Sequence, residues 1–245
     1  MTKNITVQVV KDYDELSITA AKLFAGEVQA KPSGVFGFAT GGTPEGMYAS
    51  LIDMSKAGAI DLTKLTAFNL DEYFPIDPQN SQSYAYYMAT KLFDAAGVPH
   101  DNRNMPSGTA ACPTTECAQY EEKIRAAGGI DLQILGIGNN GHIGFNEPDS
   151  VFTSVTSHVA LAEETTIANA RYFERREDVP THAISMGIKT IMMAKKILLL
   201  ASGEPKAKIL SAAINGPITP QVPASALQLH RDVTVIADAC AAKYL

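Results

Sequence analysis

The stretch from Ile130 to Pro148 reads IDLQILGIGNNGHIGFNEP and decides how the rest of the chain is interpreted. Its apolar beginning, Ile130 to Leu135, is typical of a buried strand. Four glycines follow, so we expect an irregular loop whose backbone comes close to a ligand. Ligands of open α/β sheets bind beyond the carboxyl ends of the strands, and this loop is therefore a candidate active site.

Two ionisable side chains lie within the loop, His142 and Glu147. A carboxylate that fixes the tautomer of an imidazole produces an oriented general base. The pair could also bind a metal ion, but the HExxH motif and related ligand spacings are absent. We expect a general base and no metal.

The spacing of Gly136, Gly138 and Gly141 matches the GxGxxG pattern of dinucleotide-binding proteins. That pattern requires a helix to begin at the third glycine, and no amphipathic helix can be drawn through the residues up to Pro148. The two glutamates at 163–164 lie at a suitable distance for a ribose ligand, so a dinucleotide remains a disfavoured alternative.

Strands and helices alternate on both sides of this stretch. Further strands are predicted at Ile5–Val10, Val35–Ala39, Leu65–Leu70, Ala183–Met186, Lys196–Ala201 and Val233–Ala237. Helices are predicted after Asp12, after a Thr43 cap with Pro44 in first position, and at Ser83–Ala96, Thr115–Ala127, Glu163–Phe173 and Pro205–Asn215. This order predicts an α/β fold: a single Rossmann-like domain over residues 1–245, with a mostly parallel sheet and helices on both faces.

Composition limits the possible partners. The 245 residues are 46% hydrophobic and 19% charged, which suits one domain with a large core. A net charge of −6 argues against a nucleic-acid or anionic-membrane surface, and no apolar run approaches membrane length. The 3 cysteines show no CxxC spacing, which indicates reduced thiols. We expect a cytoplasmic protein without nucleic-acid or membrane partners.

Two other junctions between a strand and a loop carry candidate residues. Thr40–Pro44 (TGGTP) can leave backbone N–H groups free at a helix N-terminus, where an anion is favoured, or it can be a plain tight turn. Asp71 and Glu72 follow a predicted strand. They could supply a base with a raised pKa, or form a solvated polar turn.

Two cations are candidates for holding an anion. Lys206 is predicted in the first turn of a helix, where the dipole disfavours a cation unless an anion is bound nearby. Arg171 lies in a polar stretch and offers a fork suited to phosphate. Both could instead be solvated surface residues. We also predict that a segment at about 162–182 forms a lid.

Five segments of the chain match one known pattern. They are Ala39–Pro44 (ATGGTP), Phe68–Tyr73 (FNLDEY), Leu135–Pro148 (LGIGNNGHIGFNEP), Asn169–Phe173 (NARYF) and Leu227–His230 (LQLH). Together they resemble the glucosamine-6-phosphate deaminase family over nearly the whole chain, and the GHIGFNEP string is the most specific part.

The resemblance implies that glucosamine 6-phosphate is converted to fructose 6-phosphate and ammonia without a cofactor. It also implies that Asp71 moves a proton from C2 to C1. His142 would move a proton at the ring oxygen during ring opening, with Asn140 and Glu147 beside it. The phosphate would be held by Gly41, Gly42, Thr43, Arg171 and Lys206.

Two features depart from the hexameric members of that family. Those relatives carry Asp where this chain has Asn140, so Glu147 is expected to do more to make the histidine basic. They also bind an allosteric sugar phosphate through basic residues, whereas no Lys or Arg lies between Glu147 and Arg171 here. We expect no such activation, and a monomer or a small homo-oligomer.

Two alternative functions stay open. A 6-phosphogluconolactonase shares the resemblance, but its histidine loop does not continue as FNEP. A sugar-phosphate-sensing domain would require a DNA-binding segment, and the chain begins directly with a predicted strand.

Overall fold

The fold is built on a seven-stranded sheet. The computed structural model describes residues 5–162, 166, 173, 175 and 178–245. In chain order the strands are β1 (Ile5–Val10), β2 (Val35–Phe38), β3 (Thr66–Asn69), β4 (Asp71–Phe74), β5 (Arg103–Asn104), β6 (Leu132–Gly136), β7 (Ser157–Ala160), β8 (His182–Ser185), β9 (Lys196–Ala201) and β10 (Val233–Asp238). The large sheet has the order β1-β10-β9-β6-β2-β3-β5, and all of its pairs are parallel.

The described α-helices connect these strands. They are α1 (Tyr13–Ala30), α2 (Glu45–Lys56), α3 (Tyr84–Met88), α4 (Pro113–Ala126), α5 (Ile188–Met192) and α6 (Ala207–Asn215). A π-helical segment, Ala89–Phe93, continues α3, and 3-10 turns occur at His100–Asn102, Glu204–Lys206 and Pro223–Leu229. No helix in the described ranges combines the length and the apolar character needed to cross a membrane.

The central strands are buried on both faces. All four residues of β2 are buried, as are Leu132–Leu135 in β6 and the last five residues of β9. Successive side chains of a strand point to opposite faces, so both faces must be covered. The predicted α/β fold with a mostly parallel sheet is confirmed, and β1 and β9 have the bounds that the sequence predicts.

A second, smaller sheet was not predicted. Strands β4, β8 and β7 form it in that order and are antiparallel. Leu70 joins the two sheets, because its N–H donates to Phe38 O and its carbonyl accepts from Met186 N. The small sheet therefore begins where β3 of the large sheet ends, and its first residue is Asp71.

The interpretation of Asp71–Tyr73 as a polar turn was wrong. These residues start β4 and are buried, with Asp71 paired opposite Ser185. The predicted strand at Ala183–Met186 exists as β8, but it belongs to the small sheet. Two consecutive charged residues suggested a turn exposed to solvent. Pairing of β4 with β8, more than a hundred residues away, buries them instead.

Helix ends were predicted with mixed success. The Asp12 side chain accepts from Glu15 N at 3.0 Å and caps α1 as expected. The proposed Thr43 cap was wrong: Pro44 occupies the N-cap of α2, and no side chain caps it. The predicted helix at Glu163–Phe173, and most of the proposed lid at about 162–182, lie outside the described residues.

Candidate active site

A cavity of about 630 Å³ lies at the carboxyl ends of β2, β3 and β6. Loops from distant parts of the sequence line it. Seven residues that the sequence singled out lie in its wall: Gly41, Gly42, Thr43, Asp71, Asn140, His142 and Lys206. The fold thus brings together three junctions that the sequence suggested separately, as expected when parallel strands end at one edge of a sheet.

His142 is oriented by its own loop. Its Nδ1 lies 3.2 Å from Glu147 Oε2, and Asn140 Nδ2 donates to the same oxygen at 2.6 Å. The backbone N–H of His142 donates to Asn140 Oδ1 at 3.2 Å. Glu147 is not part of the cavity wall, so it supports the imidazole from behind and leaves the ring facing the cavity.

Glycines allow this loop to be compact. A Cβ atom on Gly138 would lie 2.4 Å from the Nε2 atom of His142, so the ring packs directly on the backbone of Gly138. Gly138 N also donates to His142 O at 2.9 Å. Gly141 has φ +90°, in the left-handed region that favours glycine. The GxGxxG spacing therefore serves to hold a histidine, and no helix begins at Gly141.

Asp71 is a buried acid at the same cavity. It is 5% exposed, and burial raises its pKa to about 8, with the neighbouring Glu72 carboxylate adding to this rise. Its Oδ2 lies 3.6 Å from the position of a Cβ atom on Gly144, a residue of the histidine loop. Asp71 and His142 thus line the cavity from two adjacent segments.

Glu72 points away from the cavity and is anchored by backbone groups. Its Oε1 accepts from Tyr73 N at 2.9 Å and from Tyr84 N at 2.8 Å, and its Oε2 accepts from Ala85 N at 2.8 Å. Burial raises the pKa of Glu72 to about 7, although these three bonds favour its ionised form. The bonds fix the start of α3 against β4.

The glycine-rich turn after β2 is supported by two tyrosines. Tyr87 donates to Gly41 O at 2.6 Å and Tyr13 donates to Gly42 O at 2.9 Å. Gly41 has φ +100°, which a residue with a side chain rarely adopts. With its carbonyls held in this way, the turn presents its backbone to the cavity at the beginning of α2.

Lys206 is a half-buried cation on the same cavity. Burial lowers its pKa, and no carboxylate of the described residues lies within 4.0 Å of its Nζ. The turn that carries it is held by Asp238, which accepts from Gly203 N at 2.8 Å. A desolvated ammonium group on the same cavity as the glycine-rich turn after β2 is suited to an anion.

One predicted phosphate contact cannot be placed, and three other histidines do not line the cavity. Arg171 lies outside the described residues. His230 is buried and bonded to backbone groups of Asp232 and Ala194, and His158 stacks on His182 with ring centroids 4.8 Å apart. Among the described residues, no group of three or more His, Cys, Asp or Glu is arranged to hold a metal ion.

An aromatic wall of the cavity was missed. Tyr73, Tyr84, Phe145 and Phe173 line the cavity and pack on one another. Had β4 been recognised as a strand, its alternation would have placed Asp71 and Tyr73 on one face. The other three rings come from separate segments, and no local pattern connects them.

Comparison with known proteins agrees with this geometry. The family model of glucosamine-6-phosphate isomerases/6-phosphogluconolactonase matches residues 11–236. A glucosamine-6-phosphate deaminase of Clostridium acetobutylicum is 50% identical over 239 residues, covering 98% of this chain and 99% of that protein. Another from Clostridium botulinum strain Loch Maree is 53% identical over 237 residues, with 97% of both chains covered.

Solved structures give the same result. A monomeric glucosamine-6-phosphate deaminase superposes with a TM-score of 0.95 at 43% identity, covering 98% of this chain and 100% of that one. A 6-phosphogluconolactonase from Trypanosoma cruzi has a TM-score of 0.80 at 20% identity, covering 100% of this chain and 98% of that one, which shows a shared fold only. This chain belongs to the family of glucosamine-6-phosphate isomerases and 6-phosphogluconolactonases.

Proposed function

We propose that the chain converts glucosamine 6-phosphate and water to fructose 6-phosphate and ammonia. The observation that carries this proposal is the placement of Asp71, His142 and Lys206 on the wall of one cavity. Sequence identity of 50% and 53% to two glucosamine-6-phosphate deaminases over nearly the full chain supports it. The reaction needs a base that removes the proton from C2, a group that moves a proton at the ring oxygen, and a site that binds the phosphate dianion.

The phosphate is assigned to the turn Gly41–Thr43 and to Lys206. The turn offers backbone N–H groups at the beginning of α2, and Lys206 supplies a positive charge without a carboxylate partner among the described residues. Arg171 stays a proposed third contact. Fixing the phosphate holds the reacting carbons in place for Asp71 and His142.

His142 is proposed to open the pyranose ring. A proton must leave the C1 hydroxyl and another must reach the ring oxygen, and an imidazole can exchange both. Glu147 and Asn140 hold the ring in one orientation. Since Glu147 Oε2 faces Nδ1, the opposite nitrogen, Nε2, is left to meet the sugar.

Asp71 is proposed to perform the isomerisation. In the open-chain amino aldose, its carboxylate removes the proton from C2, which is acidic because it adjoins the C1 aldehyde. The C1 oxygen gains a proton as C2 loses its own, which gives an enolamine with a hydroxyl on C1. Returning the C2 proton to C1 and loss of one proton from the nitrogen, which balances the one gained by the C1 oxygen, then give a ketimine. Water then adds to the C2=N bond and ammonia leaves, which gives the ketone of fructose 6-phosphate. A pKa of about 8 makes Asp71 a stronger base than an exposed aspartate.

Release of ammonia tests this proposal directly. Purified protein is incubated with glucosamine 6-phosphate, and ammonia and fructose 6-phosphate are measured separately. We expect equal amounts of both products, loss of activity in Asp71→Asn, and normal activity in Asp53→Asn, which changes an exposed aspartate of α2. Hydrolysis of 6-phosphogluconolactone without ammonia release would instead identify a lactonase.

We also infer that the active form is a monomer and that it works in the cytoplasm. The monomeric deaminase matched over 100% of its chain supports the first inference, and similarity to metabolic enzymes over nearly the full chain supports the second. Light scattering coupled to gel filtration tests the first: a mass of 26.1 kDa is expected. Fractionation of the source cells, with the chain followed by antibody, tests the second.

A further inference from the structure

Strand β8 supports both groups that the proposed reaction needs. Asp71 pairs directly opposite Ser185 in the small sheet, so these two side chains lie on one face. The histidine loop, residues 138–147, contacts the same face, because Ser185 Oγ accepts a hydrogen bond from Phe145 N at 2.9 Å. The acid and the loop that carries the imidazole therefore meet at one residue of β8.

Met186, the residue after β8, is bound from two sides. Its N–H donates to Leu70 O at 2.9 Å, and Leu70 directly precedes Asp71 in the chain. Its carbonyl accepts from Asn146 Nδ2 at 2.9 Å, and Asn146 lies four residues after His142. A single residue thus connects the segment that carries the acid to the loop that carries the imidazole.

Asn146 also folds the histidine loop on itself. Its side-chain nitrogen donates to Ile143 O at 2.7 Å, and its backbone N–H donates to the same carbonyl at 3.3 Å. Asn146 is 3% exposed and Ser185 is 2% exposed, and neither side chain is part of the cavity wall. Any effect of these two side chains on the reaction must therefore come from where they hold the loop.

The loop comes closest to the acid at Gly144. This glycine has φ +57° and lines the cavity. A Cβ atom on it would lie 3.0 Å from Ser185 Oγ and 3.6 Å from Asp71 Oδ2. The loop backbone is therefore packed beside both the Ser185 hydroxyl and the Asp71 carboxyl group.

We propose that Ser185 and Asn146 are positioning residues that set the distance between His142 and Asp71 by fastening the histidine loop to the end of β8. This inference rests on the proposed function, in which His142 acts at the ring oxygen and Asp71 at C2 of one bound sugar. Because the phosphate contacts fix the rest of that sugar, displacement of the loop by about 1 Å takes the imidazole out of reach and can cost about 10²-fold in rate.

The two groups depend on this fastening to different degrees. Asp71 is held by the backbone ladder between β4 and β8, which pairs all four residues of β4. His142 belongs to a loop that is bonded to this part of the fold through the side chains of Ser185 and Asn146. Loss of either side chain should release the imidazole and leave the acid in place.

Kinetics of two variants tests which group moves. Ser185→Ala removes one oxygen atom, and Asn146→Asp replaces the donating amide by a carboxylate. Glucosamine 6-phosphate and its 2-deuterated form give kcat, KM and the isotope effect on kcat/KM for cleavage of the C2–H bond. We expect kcat to fall about tenfold or more and KM to change less than about threefold, since the phosphate contacts lie on other elements. The isotope effect should fall to one, or stay at one, because ring opening by a displaced His142 becomes the slow step.

Amide hydrogen exchange provides a readout that does not depend on activity. The N–H groups of residues 143–146 should exchange about tenfold or more faster in Ser185→Ala, and those of β4 should not change. Ser157→Ala is the matched control. Ser157 pairs opposite Ser185 in β7, and its buried hydroxyl has no hydrogen-bond partner in the described part of the chain, so kinetics and exchange should both be unaltered.

Three results would overturn the positioning role: an unchanged kcat in Ser185→Ala, unchanged exchange of the loop, or a lower kcat with an isotope effect that rises or stays above one without change. Failure of the proposed function is seen separately, as absence of ammonia release from the unmodified protein. Hydrogen exchange then still decides whether the two side chains hold the loop. If Asn146→Asp does not fold, Ser185→Ala decides alone.

Discussion

Glu147 Oε2 lies 3.2 Å from His142 Nδ1 and accepts a 2.6 Å hydrogen bond from Asn140 Nδ2. One carboxylate oxygen of Glu147 thus contacts the side chains of two residues of its own loop. This arrangement requires the imidazole to present a proton on Nδ1, which leaves Nε2 for exchange with the sugar. The tautomer of the base is therefore determined by a residue that does not line the cavity.

Substitution of Glu147 should impair His142 as a base and leave substrate binding nearly unchanged. In Glu147→Gln the amide can turn its NH₂ group toward His142 and favour the wrong tautomer. We expect kcat to fall about 10²-fold and KM to change less than about threefold. Steady-state kinetics on glucosamine 6-phosphate measures both. A larger effect on KM than on kcat would mean that Glu147 mainly shapes the binding site.

An acid at position 140 should shift the pH profile. In Asn140→Asp, two carboxyl groups would meet where Asn140 now donates to Glu147 at 2.6 Å. Like charges at this distance cannot both ionise freely, so the pKa of the pair rises. The acidic limb of kcat/KM should move to higher pH by about one unit. An unshifted limb would show that Asn140 has no electrostatic influence on the base.

Ionisation of Asp71 should lower the free energy of unfolding. Its folded-state pKa of about 8 lies above the ordinary value of 3.8, so the folded protein retains a proton that the unfolded chain has lost between these pH values. The free energy of unfolding contributed by this group therefore falls as pH rises from about 4 to 8. Asp71→Asn should be inactive and more stable than the unmodified protein, by a few kcal/mol at about pH 9 and less at pH 5.

Denaturant unfolding at the two pH values measures this difference. Asp53→Asn, at an exposed position in α2, is the control and should change stability equally little at both. If the stability gain of Asp71→Asn does not grow with pH, the gain arises from packing and not from charge.

The parts of the site that depend on neighbouring residues were predictable from sequence. His142 and Glu147 lie five residues apart among glycines, so their partnership could be recognised locally. The burial of Glu72 could not, because it depends on N–H groups at Tyr84 and Ala85, 12 and 13 residues further along the chain. A charged pair after a strand ordinarily indicates solvent, and these donors, together with Tyr73 N, satisfy the buried Glu72 carboxylate.

The two tyrosines that support the Gly41–Thr43 turn could not be predicted from local sequence patterns either. Tyr13 and Tyr87 reach Gly42 and Gly41 from 29 and 46 residues away. Alternation of strands and helices predicted the large sheet, since each βαβ unit is nearly local. The small antiparallel sheet joins segments more than a hundred residues apart, and its register follows from tertiary packing.

Lys206 should act on affinity more than on turnover. Lys206→Met removes the charge that faces the phosphate, so KM should rise about 10- to 100-fold while kcat changes less than about threefold. Inorganic phosphate should raise the melting temperature of the unmodified protein, and this rise should be lost in the variant. Lys208→Met, two residues away and exposed, should keep both properties. An unaltered KM in Lys206→Met would place the phosphate elsewhere.

Gly138 tests whether close packing of the histidine on the loop matters. A Cβ atom there would lie 2.4 Å from both Cε1 and Nε2 of His142, so Gly138→Ala must displace the ring. We expect kcat to fall at least about tenfold, because a base displaced by about 1 Å misses its proton. Gly26→Ala is the control: a Cβ atom on Gly26 in α1 meets nothing within 4 Å, so activity should be unchanged and stability should rise by about 0.5–1 kcal/mol. Full activity in Gly138→Ala would mean that the imidazole does not need its present position.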